Sequence, residues 1–163
     1  MTAGHLVRRF FGSLWPGGPR PEGERWVETV LSRGELALWQ RMSPADRRHA
    51  VAVGRRVQAA LGGEEDRPVL AAALLHDVGK IDSGLGTFGR VVATVAGMAV
   101  PRSRTGDGRV GRYLGHDVIG AIMLEQAGSH PTTVAWAREH HLPDNRWSLP
   151  RSVGVMLKAA DDD

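Results

Sequence analysis

The chain has 163 residues, of which 42% are hydrophobic and 24% are charged, as in one globular domain with its own core. It contains no cysteine, which excludes disulfides, thiolate metal sites and a cysteine nucleophile. The net charge is only +3 and the arginines are spread along the chain, so we do not expect a groove for nucleic acid.

The N-terminal stretch 5–11 (HLVRRFF) lacks the apolar run of a signal peptide or a membrane-spanning helix, so we expect a cytoplasmic protein. Residues 5–15 are predicted to be a frayed terminus, with contact to a membrane surface or a partner as the alternative. Three prolines and three glycines in 15–23 (WPGGPRPEG) predict a linker. The expected organisation is therefore a flexible segment, 1–23, and one domain, 24–163.

Helix signals follow one another through that domain. Serine before proline starts one helix at Pro44, and paired glycines end it near Leu61. No alternating strand pattern of useful length and no internal repeat is present, which predicts an all-α bundle of about six or seven helices. The predicted helical segments are 24–39 in two pieces that break at 32–34, then 44–61, 67–77, 90–100, 117–127, 131–141 and 151–160.

Five of the seven histidines lie near the ends of these helices, most of them beside an acidic residue or each other. His49 precedes Val53 by one turn and Val57 by two, which places it on the buried stripe of its helix. His76-Asp77 ends the next helix. Two imidazoles and a carboxylate that converge in a core can bind a hard or borderline divalent cation and leave positions for water.

Residues 76–80 read HDVGK, and with the earlier and later ligand candidates they form the ordered pattern H…HD…D over roughly residues 43–161. This pattern resembles the HD superfamily of metal-dependent phosphohydrolases. The resemblance implies a compact helical HD domain and one metal ion bound by His49, His76, Asp77 and Asp161. The triplet that ends the chain is degenerate, so Asp162 or Asp163 is the alternative to Asp161.

Two further motifs resemble the second metal site of binuclear HD proteins. His116 lies at a helix start in GHDVIGA, and His140-His141 ends the next helix in REHH, with His140 the better ligand candidate of the pair. The resemblance implies one or two divalent ions, with iron or manganese favoured and cobalt, nickel, zinc or magnesium as alternatives. Ala45 stands where a third metal would need a carboxylate, so we expect at most two.

Two groups of binuclear relatives compete. The HD-GYP cyclic dinucleotide phosphodiesterases share HDxGK, the isolated histidine and the histidine pair, and the diadenosine tetraphosphate hydrolases share a similar helix start and a final Ala-Asp. After the histidine pair this chain reads LPDNRWSLP, which keeps an aspartate, Asp144, but lacks Gly-Tyr-Pro and so counts against cyclic di-GMP. The HDVGK string also departs from the HDxxED string of guanosine tetraphosphate hydrolases.

The resemblance implies hydrolysis of a phosphate ester or anhydride, most plausibly in a nucleotide, by a metal-activated water. Asp77 would bridge the two cations and Lys80 would face a phosphate oxygen or the leaving group. Trp136 and Trp147 are expected to pack in the core or at its rim. The alternatives are a degenerate HD module that senses a nucleotide or docks a partner, and an HD-type di-iron oxygenase. The arginines expected to close over an anionic substrate are Arg102, Arg104, Arg109 and Arg112.

Overall fold

The protein is described by a computed structural model over residues 17–83 and 115–162. In these ranges the chain forms seven α-helices, two short 3₁₀ helices and no strand, which confirms the predicted all-α class. The α-helices are α1 (Pro21–Val30), α2 (Arg33–Arg41), α3 (Pro44–Ala60), α4 (Arg67–Leu75), α5 (His116–Gln126), α6 (Pro131–Glu139) and α7 (Arg151–Asp162), and the 3₁₀ helices are Val78–Ser83 and Asp144–Arg146.

Local capping signals start most of these helices. Proline occupies the first turn of α1, α3, α4 and α6, where a missing N–H costs no hydrogen bond. Ser32 and Glu35 form a reciprocal capping box at the start of α2. The side chains of Ser43 and Asp66 accept backbone N–H bonds at the starts of α3 and α4. These signals act within one turn, which is why the sequence locates the helix starts well.

The predicted linker over 15–23 was wrong in its last three residues, because α1 already begins at Pro21. Proline at the first helical position favours the helix, and Gly23 is buried inside it. A Cβ at Gly23 would lie 3.1 Å from Cγ1 of Val51, so this glycine permits close packing of α1 on α3.

Two helix ends were predicted too late. The helix expected to run through Asp77 ends at Leu75 and gives way to the 3₁₀ helix, and the helix expected to run through His141 ends at Glu139. Both histidine-containing segments therefore lie in tight turns just beyond a helix. Such turns can aim side chains at the centre of the bundle.

Several predictions fall outside the described residues: the segment 5–15 with its proposed surface contact, the helix over 90–100, and the four arginines expected to close over the substrate. In the ranges 17–83 and 115–162, no helix combines the length and apolar character that crossing a bilayer would need.

Helix α4 lies at the centre of the described bundle. Every residue from Val69 to Leu75 is buried, and the helix packs against α1, α3, α6 and α7. A helix that is apolar on all sides must be covered on all sides, which explains why its neighbours surround it. The His76-Asp77 pair leaves the C-terminal end of α4, so the bundle delivers this pair directly into a buried region.

Candidate metal centre

Five segments of the chain meet beyond the C-terminal end of α4. One residue comes from α3, two follow α4, one starts α5, two follow α6 and one lies in the last turn of α7. All seven residues that the sequence nominated as metal ligands are therefore brought together. They are His49, His76, Asp77, His116, His140, His141 and Asp161.

The first triad consists of His49, His76 and Asp161, whose ligand atoms all lie within 4.8 Å of one another. The Nε2 atom of His49 is 3.0 Å from Oδ1 of Asp161, and Nε2 of His76 is 3.6 Å from the same oxygen. His76 and Asp161 are buried, whereas 27% of the His49 side chain remains exposed. The triad thus has a dry side and a side that solvent can reach.

The second triad consists of His116, His140 and His141, again with ligand atoms within 4.8 Å of one another. The Nε2 atoms of His116 and His141 face each other at 3.3 Å. His116 and His140 are buried, whereas His141 is exposed at the rim. The side chain of His116 therefore points into the interior of the bundle.

Asp77 lies between the two triads. Its Oδ2 atom is 3.5 Å from Nε2 of His76, in the first triad. Its Oδ1 atom is 3.2 Å from Nε2 of His116 and 3.9 Å from Nε2 of His140, in the second triad. The two oxygens of one carboxylate therefore face different triads, which is the disposition that a bridging ligand requires.

Backbone carbonyls fix the orientation of two buried imidazoles. Nδ1 of His76 donates to the carbonyl of Ala73 at 2.9 Å, and Nδ1 of His140 donates to the carbonyl of Ala137 at 3.0 Å. Since Nδ1 of each ring faces a carbonyl of the preceding helix, Nε2 lies on the far side of the ring and faces the centre. Among the described residues both Nε2 atoms are buried without a hydrogen-bond partner, although buried polar atoms normally have one. A divalent cation would satisfy them, and this second contact through Nδ1 is usual for metal-binding histidine.

The two carboxylates of the site are held in the ionised form. Burial by itself would raise the pKa of Asp77, but the charges of Lys80 and His76 outweigh it and keep that pKa well below its ordinary value. Burial likewise opposes ionisation of Asp161, and the charge of His76 together with the hydrogen bond from His49 lowers its pKa strongly. Two buried anions among five imidazoles suit a divalent cation.

The two deepest imidazoles have opposite pKa shifts. Burial tends to lower the pKa of His76, but the carboxylates of Asp77 and Asp161 outweigh burial and raise it to about 9. Burial dominates at His140, and the neighbouring histidines add to it, so its pKa lies well below its ordinary value. In the metal-free protein, His76 is therefore protonated on both ring nitrogens near neutral pH, whereas His140 is neutral.

Two glycines set the distance between Asp77 and the second triad. A Cβ at Gly79 would lie 1.9 Å from the carbonyl oxygen of His116 and 2.6 Å from the nitrogen of Gly120. A Cβ at Gly120 would in turn lie 3.0 Å from the nitrogen of Gly79. Gly79 lies in the 3₁₀ helix Val78–Ser83, four residues beyond the end of α4. Its absent side chain allows the 3₁₀ helix to touch the start of α5, which brings His116 to Asp77.

Other nominated residues lie beside the centre. The ammonium group of Lys80 contacts Oδ2 of Asp77, so its role toward a substrate phosphate stays a prediction. Asp162 pairs with Lys158, which leaves Asp161 as the aspartate of the described C-terminal turn that enters the site. Asp144 pairs with Arg151 at 2.6 Å on the surface.

Sequence analysis did not identify the hydrogen bonds that hold the turn containing the histidine pair. Trp147 was expected to pack at the rim, but its indole N–H also donates to the carbonyls of Glu139 and Leu142. The carboxylate of Glu139 binds Ser148. A tryptophan that follows a histidine pair by six residues is a weak signal by itself, and carbonyl acceptors have no signature in sequence.

In comparison with protein families, the model of the HD domain matches residues 47–162. This range is most of the chain and includes every residue of both triads and Asp77. No curated protein and no solved structure matches the chain at a significant level.

Proposed function

Because the chain belongs to the HD-domain family, whose members are metal-dependent phosphohydrolases, we propose that it hydrolyses a phosphate ester or anhydride of a nucleotide at a centre of two divalent cations. The observation that carries the proposal is the position of Asp77, whose two carboxylate oxygens face the two triads at 3.2 Å and 3.5 Å from their nearest imidazole nitrogens.

The residues present fit such a centre. The first triad would hold one cation, the second triad would hold the other, and Asp77 would be shared. Bound cations of this kind supply a water of lowered pKa and neutralise charge on the phosphoryl oxygens. The chain contributes no cysteine nucleophile, and the mechanism needs no protein nucleophile because the attacking group is water.

The chain's own groups would bind and orient the substrate from the open side of the centre. His49 and His141 are the ligand candidates with solvent exposure, one in each triad, so a phosphate could approach each triad past its exposed histidine. The ammonium group of Lys80 contacts Oδ2 of Asp77, whereas His116 faces Oδ1. Lys80 would present a positive charge to an anionic substrate. The buried His76 and His140 would bind the cations from the interior side of the centre.

The donor set favours borderline and hard metals. Sites of imidazole nitrogen and carboxylate oxygen accept iron, manganese, cobalt, nickel and zinc, and thiolate-selected metals are excluded by the absence of cysteine. We propose iron or manganese among them, as the resemblance to binuclear HD proteins implies.

The test combines elemental analysis of anaerobically purified protein with a chromatographic screen for the hydrolysis products of mononucleotides, dinucleoside polyphosphates and cyclic dinucleotides. The expected result is about two equivalents of metal and metal-dependent hydrolysis of one of these classes. Bound metal with no hydrolysis, but with substrate-dependent oxygen consumption, would favour the oxygenase. Protein that binds no transition metal would favour a sensing or docking module.

A further inference from the structure

The histidine pair of the second triad lies in a turn that is held from outside. The turn begins where α6 ends, at Glu139, and is closed by a hydrogen bond from the backbone N–H of Leu142 to the carbonyl of Glu139 at 2.7 Å. His140 and His141 are the two residues inside it. Any contact that holds this turn in place therefore also fixes the backbone positions from which both imidazoles extend.

Trp147 spans this turn. Its indole Nε1 lies 3.2 Å from the carbonyl oxygen of Glu139 and 3.1 Å from that of Leu142, the residues on either side of the pair. Carbonyls at the end of a helix have no partner within the helix, so a donor from a following loop satisfies them. A single N–H shared between two acceptors also holds those acceptors close together.

The loop that carries Trp147 is also held by hydrogen bonds to the side chain of Glu139. The carboxylate of Glu139 accepts the backbone N–H of Ser148 at 2.6 Å and its hydroxyl at 2.7 Å. Both the main chain and the side chain of Glu139 thus bind the 147–148 segment. The segment cannot leave the turn without breaking several hydrogen bonds together.

The indole ring of Trp147 packs into a space between α6 and α7. It packs edge to face on Trp136 of α6, with ring centroids 5.5 Å apart. On the other side it lies against Gly154 of α7, where a Cβ would come within 2.4 Å of the ring. The absence of a side chain at Gly154 lets the ring lie between α6 and α7, where its N–H can face the turn.

We propose that Trp147 is a positioning residue for the second triad: its indole N–H fixes the turn that carries His140 and His141, and thereby the affinity of the second cation. The inference rests on the proposed function in that the second triad binds a cation. His140 is also oriented by the carbonyl of Ala137, inside the helix, so the effect falls mainly on His141. Groups that orient metal ligands typically change metal affinity by 10- to 100-fold when removed.

The test is Trp147→Phe, which keeps an aromatic ring between α6 and α7 and removes the N–H together with part of the indole ring. Trp39→Phe is the matched control, because that buried indole also makes one N–H bond, to Glu24 at 2.8 Å, away from both triads. Cobalt(II) is titrated into the metal-free proteins and followed by calorimetry and visible absorption. We expect Trp147→Phe to weaken the second equivalent by about 10- to 100-fold and to leave the first unchanged. Trp39→Phe should change neither.

Wild-type affinity for both equivalents in Trp147→Phe would overturn the proposal. Equal weakening of both equivalents would also overturn it, since that is the result of a general structural role. If Trp147→Phe fails to fold, Ser148→Ala is used in its place, because it removes one of the hydrogen bonds that attach the 147–148 segment to Glu139. For the proposal to stand, Ser148→Ala must weaken binding of the second equivalent, by a smaller factor than about 10- to 100-fold.

A second measurement separates this proposal from the proposed function. Long-range proton–nitrogen NMR spectra of the metal-free protein report the imidazole environments without any cation. We expect Trp147→Phe to shift the resonances of His141 and to leave those of His49 in place. Unshifted His141 resonances would overturn the positioning role. Shifted resonances in a protein that takes up no second cation would support the positioning role and contradict the two-cation function.

Discussion

The two triads are assembled from the chain in different ways and carry different charge. The first triad takes its residues from α3, from the turn after α4 and from α7, and contains a carboxylate. The second triad takes all three residues from α5 and the turn after α6, and contains only imidazoles. The carboxylates raise the pKa of His76 to about 9, whereas burial and neighbouring histidines lower that of His140.

This difference indicates how each triad would accept a cation. In the first triad a cation must displace the proton of His76, but it gains the attraction of two carboxylates. In the second triad the deepest imidazole is already neutral and ready to bind, but the attraction comes from Asp77 alone. The two triads should therefore differ in their dependence on pH, in their metal preference and in their response to mutation.

The largest effect is expected from the residue that the triads share. Asp77→Ala should remove ligand contacts from both triads, so that bound metal falls well below one equivalent. Loss of about 4 kcal/mol of transition-state stabilisation would reduce activity about 1,000-fold. Elemental analysis, chromatography of the hydrolysis products and circular dichroism measure metal, activity and helix content, respectively. Asp162→Ala is the matched control, because that aspartate pairs with Lys158 instead. Unchanged metal content in Asp77→Ala would contradict the assignment.

A smaller effect is expected when only one triad is removed. His116→Ala should lower bound metal from about two equivalents to about one, because the first triad keeps its own donors. His130→Ala is the control, since His130 is exposed and only caps the start of α6. If His116→Ala retained both equivalents, or lost both, the division of the site into two triads would be wrong.

Removal of the metal should lower stability by a moderate amount. A cation present at about 100 times its Kd adds about 2.7 kcal/mol to the native state, which corresponds to a melting temperature about 5–10 °C higher for a chain of this size. Differential scanning calorimetry before and after chelation, and after metal is restored, measures this shift. A melting temperature that responds to neither treatment would count against a buried centre.

The smallest effect concerns pH in the metal-free protein. The pKa of His76 is higher in the folded protein, about 9, than in the unfolded chain, about 6.5. Protonated His76 therefore stabilises the fold fully below about pH 6.5, and this stabilisation, about 1–3 kcal/mol, is lost as the pH rises through about 9. The folded-state pKa of His140 is lowered, so stability should also fall as the pH drops below about 6.5. Urea unfolding of the chelated protein across this range measures both slopes. His76→Gln should lose the alkaline slope alone, and an alkaline slope that persisted in His76→Gln would contradict the assignment to His76.

The sequence by itself determined the helical class, the starts of most helices and the set of residues that meet at the centre. These features depend on short-range rules: a capping serine or aspartate acts within one turn, and the spacing of His49, Val53 and Val57 places the histidine on the buried side of α3. The HD pattern then connected distant positions through resemblance to a family.

Only the tertiary structure decided how those residues are arranged. The choice of Asp161 over Asp162 depends on which way α7 faces when it packs on α4. The division of the two Asp77 oxygens between the triads depends on how α5 packs on α6 and on the 3₁₀ helix Val78–Ser83. The contact of Gly79 with the carbonyl of His116, and the bonds of Trp147 to carbonyls beside the histidine pair, join backbone atoms that no residue pattern encodes. Such contacts form only once the helices have packed: Gly79 must meet a segment far along the chain, and the indole of Trp147 must lie between α6 and α7.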